Sequence, residues 1–226
     1  MEDKIVISLG GSIIVPDQID TDFLKDFKNL ISLQTKQDKK FVIITGGGKV
    51  CRRYNEALEK VVNPSKDDLD WLGIAATRLN SELVRISFGD LAFDKITMDP
   101  NMVPKTDKPI ILGGGWKPGN SSDLAAVQSA LSIGARKIIN MSNIDYVYDK
   151  DPKKYTDAVK IEKISWKEFR QLLPKEWGPG SNSPFDPVAA EKAESMGIEV
   201  VVLNGKNISN LEKCLNGEKF AGTIIS

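Results

Sequence analysis

Residues 113–123, Gly113-Gly114-Gly115-Trp116-Lys117-Pro118-Gly119-Asn120-Ser121-Ser122-Asp123, hold the parts of an anion site: glycines, a cation, and then the polar residues that open a helix. Ser121, Ser122 and Asp123 are residue types that cap helix N-termini, where free N–H groups and the positive dipole end attract an anion. Lys117 adds a cation and Asp123 an anion. The stretch therefore offers a phosphate or carboxylate site. Two further glycine runs precede it, Gly10-Gly11-Ser12 and Gly46-Gly47-Gly48-Lys49, the second followed by Arg52 and Arg53. Glycine lets the backbone approach a ligand closely, and Arg52, one turn into a helix, can offer the same anion a forked pair of donors. One anion needs one loop, whereas a nucleoside triphosphate meeting a second phosphorylated molecule needs several, which favours a kinase. Gly46-Gly47-Gly48-Lys49 lacks the four-residue spacer of the familiar phosphate loop and the third glycine of the dinucleotide fingerprint.

Composition narrows the chemistry. The chain of 226 residues has no histidine, which excludes imidazole as base, nucleophile or zinc ligand. Its two cysteines, Cys51 and Cys214, form no metal-ligand pattern and are expected to be buried reduced thiols. Chemistry that needs positioning and charge stabilisation more than a base, such as phosphoryl transfer, fits what remains. Lysine plus arginine equal aspartate plus glutamate at 31 each, so neither nucleic acid nor an anionic membrane is expected as a partner. No signal peptide is read at Met1-Glu2-Asp3-Lys4 and no apolar run is long enough to span a bilayer, so a cytoplasmic protein is expected.

Strands and helices must position these loops. Apolar runs at 4–9, 41–45, 109–112 and 137–141 are too short for helices and read as buried strands, the first three running straight into a glycine loop. After the first loop, residues 13–16 are expected to lead away to a turn. Asp20 or Thr21 caps a helix with Phe23, Leu24, Phe27, Leu30 and Ile31 on one face. A longer helix over 67–87 is expected to pack through Leu69, Leu72, Ala76, Leu79, Leu83 and Ile86, with Asp70 in its first turn as an acid complementing the helix dipole. Residues 90–108 have no clean period and read as an irregular edge excursion. Further on come polar residues after the 137–141 strand, a capping box at Ser165-Trp166-Lys167-Glu168, and a breaker-rich loop at 178–184 that is either a lid or a plain connection. Asp186-Pro187 caps a helix, a strand follows at 199–203, then a helix at 208–215 and a last strand at 222–225. The alternation predicts an α/β fold, a three-layer αβα sandwich with a mainly parallel central sheet, in which four strand ends converge on one rim.

The order of motifs carries more than any one of them. Gly10-Gly11-Ser12, Gly46-Gly47-Gly48-Lys49 with Arg52, Pro118-Gly119-Asn120-Ser121-Ser122-Asp123, Asn143-Ile144-Asp145 with Tyr148 and Asp151-Pro152, and Asp186-Pro187-Val188-Ala189-Ala190 together resemble the amino-acid kinase family over essentially the whole chain. The short length and Thr77-Arg78 are most similar to its archaeal-type uridylate kinases. That resemblance implies one domain over 1–226, with an acceptor-binding part at roughly 1–135 and an ATP-binding part at roughly 136–226, and transfer of the γ-phosphate of ATP to UMP with Mg2+ on the phosphates. It implies a role in pyrimidine biosynthesis and a homo-oligomer, commonly a hexamer. For the residues, it implies that Gly10, Gly11 and Ser12 hold the transferring phosphate with Gly48 and Arg52 beside it, and that Ser142, Asn143, Tyr148 and Asp151 line the ATP pocket. Gly47 would contact the UMP phosphate, Asp70 the ribose, and Gly119, Asn120, Ser121 and Ser122 the acceptor nucleotide, while Asp123 would organise the catalytic centre.

Three motifs depart from the family pattern. Many members carry a lysine where this chain has Ser8, so another cation must stabilise the transferring group, and Lys49, Arg52 and Lys117 are the candidates. Trp116-Lys117 stands where the archaeal enzymes usually have Thr-His, and Ser121-Ser122 where they have Thr-Thr; the Trp116 ring either stacks on a base or packs under the loop. Isopentenyl phosphate kinases rely on a histidine that is absent here. Two other readings stay open: a kinase of another small phosphate or carboxylate acceptor, and a nucleotide-binding or storage protein without turnover.

Overall fold

The computed structural model describes residues 3–173 and 183–226. Its first half runs β1 (Asp3–Leu9), α1 (Gly11–Ile14), α2 (Thr21–Thr35), β2 (Lys39–Thr45), α3 (Gly48–Val61), α4 (Lys66–Phe88), β3 (Ile110–Gly113) and α5 (Ser122–Ile133). The second continues β4 (Lys137–Ser142), β5 (Val147–Tyr148), β6 (Lys160–Ile161), β7 (Lys163–Ile164), α6 (Trp166–Leu172), α7 (Pro187–Ser195), β8 (Glu199–Asn204), α8 (Ile208–Leu215) and β9 (Thr223–Ile225). The last five residues of β1 and of β2 are all buried, as befits parallel strands covered on both faces. Strands β3, β2, β1, β4 and β8 lie side by side and parallel; β9 adds antiparallel to β8, and β7 pairs parallel with β9. The sheet is mixed and mainly parallel.

Alternation along each strand divides the core in two. Ile5, Ile7 and Leu9 pack with α2, α8 and the C-terminal part of α4, whereas Val6, Ile138 and Val202 pack with α5, α6 and α7. This is the expected three-layer sandwich. The helix starts follow side-chain chemistry: Asp20 accepts from the Phe23 N–H, Ser121 from Leu124, Asp186 from Ala189, and Ser165 with Glu168 closes a capping box. Residues 92 and 97 bridge to the edge of β3, so the 90–108 excursion does follow that edge. Most of the 178–184 loop lies outside the described residues. Among the described residues no helix is long and apolar enough to cross a membrane.

Four expectations need correction. Residues 11–14 form the short helix α1, not a chain leading away, and Ile13, Ile14 and Val15 are buried. Helix α4 starts one turn before Asp70, so Asp67 and Asp68 complement its dipole and Asp70 sits in the second turn. The same helix buries the expected Ala76 and packs Leu83 on the core, but it also buries Ile74, Thr77, Asn80, Ser81, Val84 and Phe88, while Leu79 and Ile86 stay 65% and 62% exposed. Periodicity alone picks the more apolar face; here the helix is turned by hydrogen bonds from its polar residues to the glycine loops. Cys214 is buried, but Cys51 is only half-buried, because it lines the cleft between α3 and α4.

Candidate active site

Each strand end is tied to its neighbour through the backbone. The Gly46 N–H donates to the Leu9 carbonyl at 2.9 Å, Gly10 to Met141 at 3.0 Å, and Gly205 to Ser142 at 2.8 Å. The first two glycine loops then press together. A Cβ on Gly11 would stand 2.3 Å from the Gly46 carbonyl oxygen and 2.4 Å from the Gly48 nitrogen, and Gly48 has a φ of +60° that disfavours any side chain. The N-terminal ends of α1 and α3 are thereby brought side by side.

Helix α4 holds the loops from the other side. Thr77 Oγ1 accepts the Gly115 N–H at 2.6 Å, Ser81 donates to the Gly113 carbonyl at 2.8 Å, and Asn80 donates to the Gly46 carbonyl at 2.8 Å. The Arg78 guanidinium reaches the Gly115 and Trp116 carbonyls, and the Asp70 carboxylate accepts the Gly119 N–H at 2.7 Å. No role was read for Thr77, Asn80 and Ser81 in the sequence. The available signal was their i, i+3, i+4 spacing, which puts three polar side chains on one helical face.

Between α3 and α4 lies a cleft of about 440 Å³, within the rough 300–1,000 Å³ span of small-molecule sites. Gly47, Asp70, Asn120 and Ser122, all predicted for the acceptor, line it together with Gly48, Arg52 and Cys51. Of the three candidate cations only Arg52 faces this cleft, and it makes no ion pair among the described residues. Lys49 lies 3.6 Å from Asp17, which Arg53 also engages, and the exposed Lys117 ammonium lies 4.1 Å from the centre of the Trp116 ring. Neither Trp116 nor Lys117 is part of the cleft lining.

Asp123, in the first turn of α5, sits where the two halves of the chain meet. Its Oδ1 accepts the Ser8 hydroxyl at 3.0 Å and its Oδ2 the Asp186 backbone N–H at 3.1 Å. Burial pushes its carboxyl from the ordinary 3.8 up to about 6; the Ser8 hydroxyl opposes the rise and the Asp186 carboxylate adds to it. Burial likewise raises Asp186, against hydrogen bonds from the Ala189 and Val188 amides and the Ser121 hydroxyl. Asp186 was legible as a helix cap but not as a partner of Asp123, because 63 residues separate them in sequence.

The residues expected for ATP lie on the other half. Ser142 ends β4, immediately after the residue that holds Gly10, and Tyr148 belongs to β5. Asn143 and Asp151 are exposed, and the Asp151 carboxylate accepts the Lys153 N–H at 3.0 Å.

Comparison with known proteins agrees along the full chain. The model of the amino acid kinase family matches residues 3–204. A uridylate kinase of Thermoplasma acidophilum is 33% identical over 227 residues, covering 100% of this chain and 97% of that protein, and one of Methanobrevibacter smithii is 31% identical with 99% of each covered. The crystal structure of uridylate kinase from Archaeoglobus fulgidus superposes with a TM-score of 0.85 at 31% identity, covering 99% of this chain and 100% of that one.

Proposed function

The chain belongs to the amino acid kinase family, and from that premise we propose that it is an ATP-dependent uridylate kinase, passing the γ-phosphate of ATP to UMP to give UDP and ADP. The observation that carries this reading is the cleft between α3 and α4, whose lining brings together Gly47, Gly48, Arg52 and Asp70. A mononucleotide needs both, an anion cradle for its phosphate and an acceptor for its ribose hydroxyls. The N–H groups of Gly11, Ser12 and Gly48 then hold the transferring phosphoryl group with Arg52, in a loop that Gly10 anchors through its N–H on the Met141 carbonyl, while Gly47, Gly119, Asn120, Ser121 and Ser122 hold UMP. Ser142, Asn143, Tyr148 and Asp151 take the adenosine part of ATP. The acceptor-binding part is roughly 1–135 and the ATP-binding part roughly 136–226 of one domain.

Magnesium fits as an ion carried by the substrate. Among the described residues no three Cys, Asp or Glu side chains cluster to hold a metal by themselves, and phosphate oxygens are ligands that Mg2+ favours. Its contribution when bound is to neutralise phosphate charge during the transfer. The chain's own part is to align the two phosphates and supply the remaining positive charge, which falls to Arg52 and the helix N-termini.

ADP release from Mg-ATP, compared for UMP, CMP, dTMP, GMP and no acceptor, tests the assignment. UMP is expected to give the strongest turnover, with Arg52→Ala lowering kcat by about 100-fold and Lys117→Ala by less than about 10-fold. If no nucleotide exceeds the blank, the reading is wrong, and a larger loss from Lys117→Ala than from Arg52→Ala would move the catalytic cation to Lys117.

The homo-oligomer has a surface to form on. Trp71, Leu79 and Ile86 of α4 are 50–65% exposed, and Val61 and Val62 close to them in sequence are 80% and 51% exposed. Leu72, Leu79 and Ile86 recur every seventh residue, so they form a stripe along the helix that a second copy of the chain would cover. Sedimentation equilibrium is expected to give a mass well above one 24.9 kDa chain, and Leu79→Glu with Ile86→Glu to lower it. A wild-type mass of one chain would exclude the oligomer.

A further inference from the structure

Ser8 has an anomalous place in the core. It is 3% exposed on a central strand whose other inward residues are Ile5, Val6, Ile7 and Leu9, where an aliphatic side chain would bury more apolar surface. Its face is that of Val6, which packs against α5, and its hydroxyl spends its hydrogen on one acceptor, Asp123 Oδ1 at 3.0 Å. The other oxygen of the same carboxylate takes the Asp186 N–H from the N-terminal end of α7, and the Ser121 hydroxyl in turn serves Asp186. Asp123 is thus gripped from both sides: by β1 of the acceptor half and by α7 of the ATP half. A lysine at position 8 would bring a charge to this carboxylate. Serine can bring only direction.

We propose that Ser8 is a positioning residue, whose hydroxyl sets the orientation of the Asp123 carboxylate and, with the Asp186 N–H, holds it aligned between the two halves of the site. This rests on the kinase reading for its catalytic consequence, but the contact itself does not. A donor to the charged form favours that form, so Ser8 also keeps Asp123 ionised at lower pH than burial alone would allow. Among the described residues one charged group faces Asp123, the Asp186 carboxylate, which works in the opposite direction. The charge that a lysine would have supplied is left to Arg52.

The test follows the Asp123 carboxyl carbon by NMR titration, its signal identified by its loss in Asp123→Asn, alongside the pH profile of kcat. Ser8→Ala is expected to raise the Asp123 midpoint by about one pH unit, to move the acidic limb of kcat with it, and to lower kcat about 10-fold with both KM values within about 2-fold. Ser8→Thr, which restores a hydroxyl, returns midpoint and limb. In an Asp123→Asn background Ser8→Ala lowers kcat no further. Should Ser8→Ala not fold, Ser8→Cys, of similar volume but a weak donor, shifts the midpoint in the same direction. An unmoved midpoint overturns the proposal, as does a moved midpoint with an unchanged kcat profile, or a further loss in the Asp123→Asn background. If the wild-type chain phosphorylates no nucleotide, the reaction assigned above fails, while the titration still decides whether Ser8 holds the carboxylate.

Discussion

Asp123→Asn is expected to lose about 1,000-fold in kcat and yet to melt higher than the wild type at neutral pH. The loss follows from removing a charge fixed at the junction of the two proposed substrate sites, where electrostatic positioning would carry the catalysis. The gain follows from burial. Raising an aspartate from 3.8 to about 6 corresponds to roughly 3 kcal/mol of cost for the ionised form, an upper bound because Asp123 is only partly shielded from solvent. Asparagine removes that cost without breaking the grip: its carbonyl accepts the Asp186 N–H and its amide donates to a Ser8 hydroxyl turned to accept. For a chain of this size about 2 kcal/mol is worth roughly 5 °C. The direction with pH is fixed. The folded protein binds this proton more readily than the unfolded chain, so the carboxyl's contribution is fully present below about pH 4 and is lost as pH rises through about 6. The melting advantage of Asp123→Asn should therefore grow from pH 4 to pH 6 and level off above 7. Scanning calorimetry across that range checks it, and an advantage independent of pH would remove the burial argument.

Gly11→Ala is expected to damage the site through a steric clash alone, without the positive-φ strain that a side chain at Gly48 would add. The added carbon would overlap the Gly46 carbonyl and the Gly48 nitrogen, which are backbone atoms and cannot rotate away, so the two loops would have to part. A displacement of about 1 Å between loops proposed to hold the same phosphate is expected to cost on the order of 100-fold in kcat/KM, and the lost contact about 2–4 kcal/mol of stability. Gly119→Ala is the matched control. It places a side chain at positive φ, +77°, a strain that Gly11 does not carry, but nothing stands within 4 Å of the new carbon, so it is expected to cost only about 1–2 kcal/mol of backbone strain. Equal losses from the two substitutions, read by steady-state kinetics and thermal melting, would show that the close approach of the loops is not what matters.

Exposed apolar residues on α4 show where periodic reading stops. Leu79 and Ile86 continue the spacing of a core stripe yet stay exposed, because the buried face of α4 combines Ile74, Ala76, Val84 and Phe88 with polar residues that pair backbone carbonyls and N–H groups of the glycine loops. Thr77, Asn80 and Ser81 satisfy those groups and are buried in consequence. A sequence pattern scores hydrophobicity, so it cannot see a face chosen by hydrogen bonding. The same limit hid Cys51, whose half-exposure depends on the gap between two helices.

The sequence by itself determined the local elements and their chemistry: Asp20, Ser121, Ser165 and Asp186 start their helices because a side-chain oxygen beside a free N–H suffices, and the apolar runs before Gly10, Gly46 and Gly113 are strands because they are short and continuous. The glycine loops favoured a kinase, and the order of five motifs was enough to place the chain, by resemblance, in the amino-acid kinase family. Tertiary structure alone decided that Gly11 lies against Gly46 and Gly48, that Asp70 holds the Gly119 N–H, that Arg52 and neither Lys49 nor Lys117 faces the cleft, and that Ser8 and Asp186 grip Asp123 from opposite halves. Those facts depend on distances between residues 35 to 115 positions apart in the chain, as Gly11 is from Gly46 and Ser8 from Asp123, and such distances are set by how helices seat on the sheet, which no local pattern encodes.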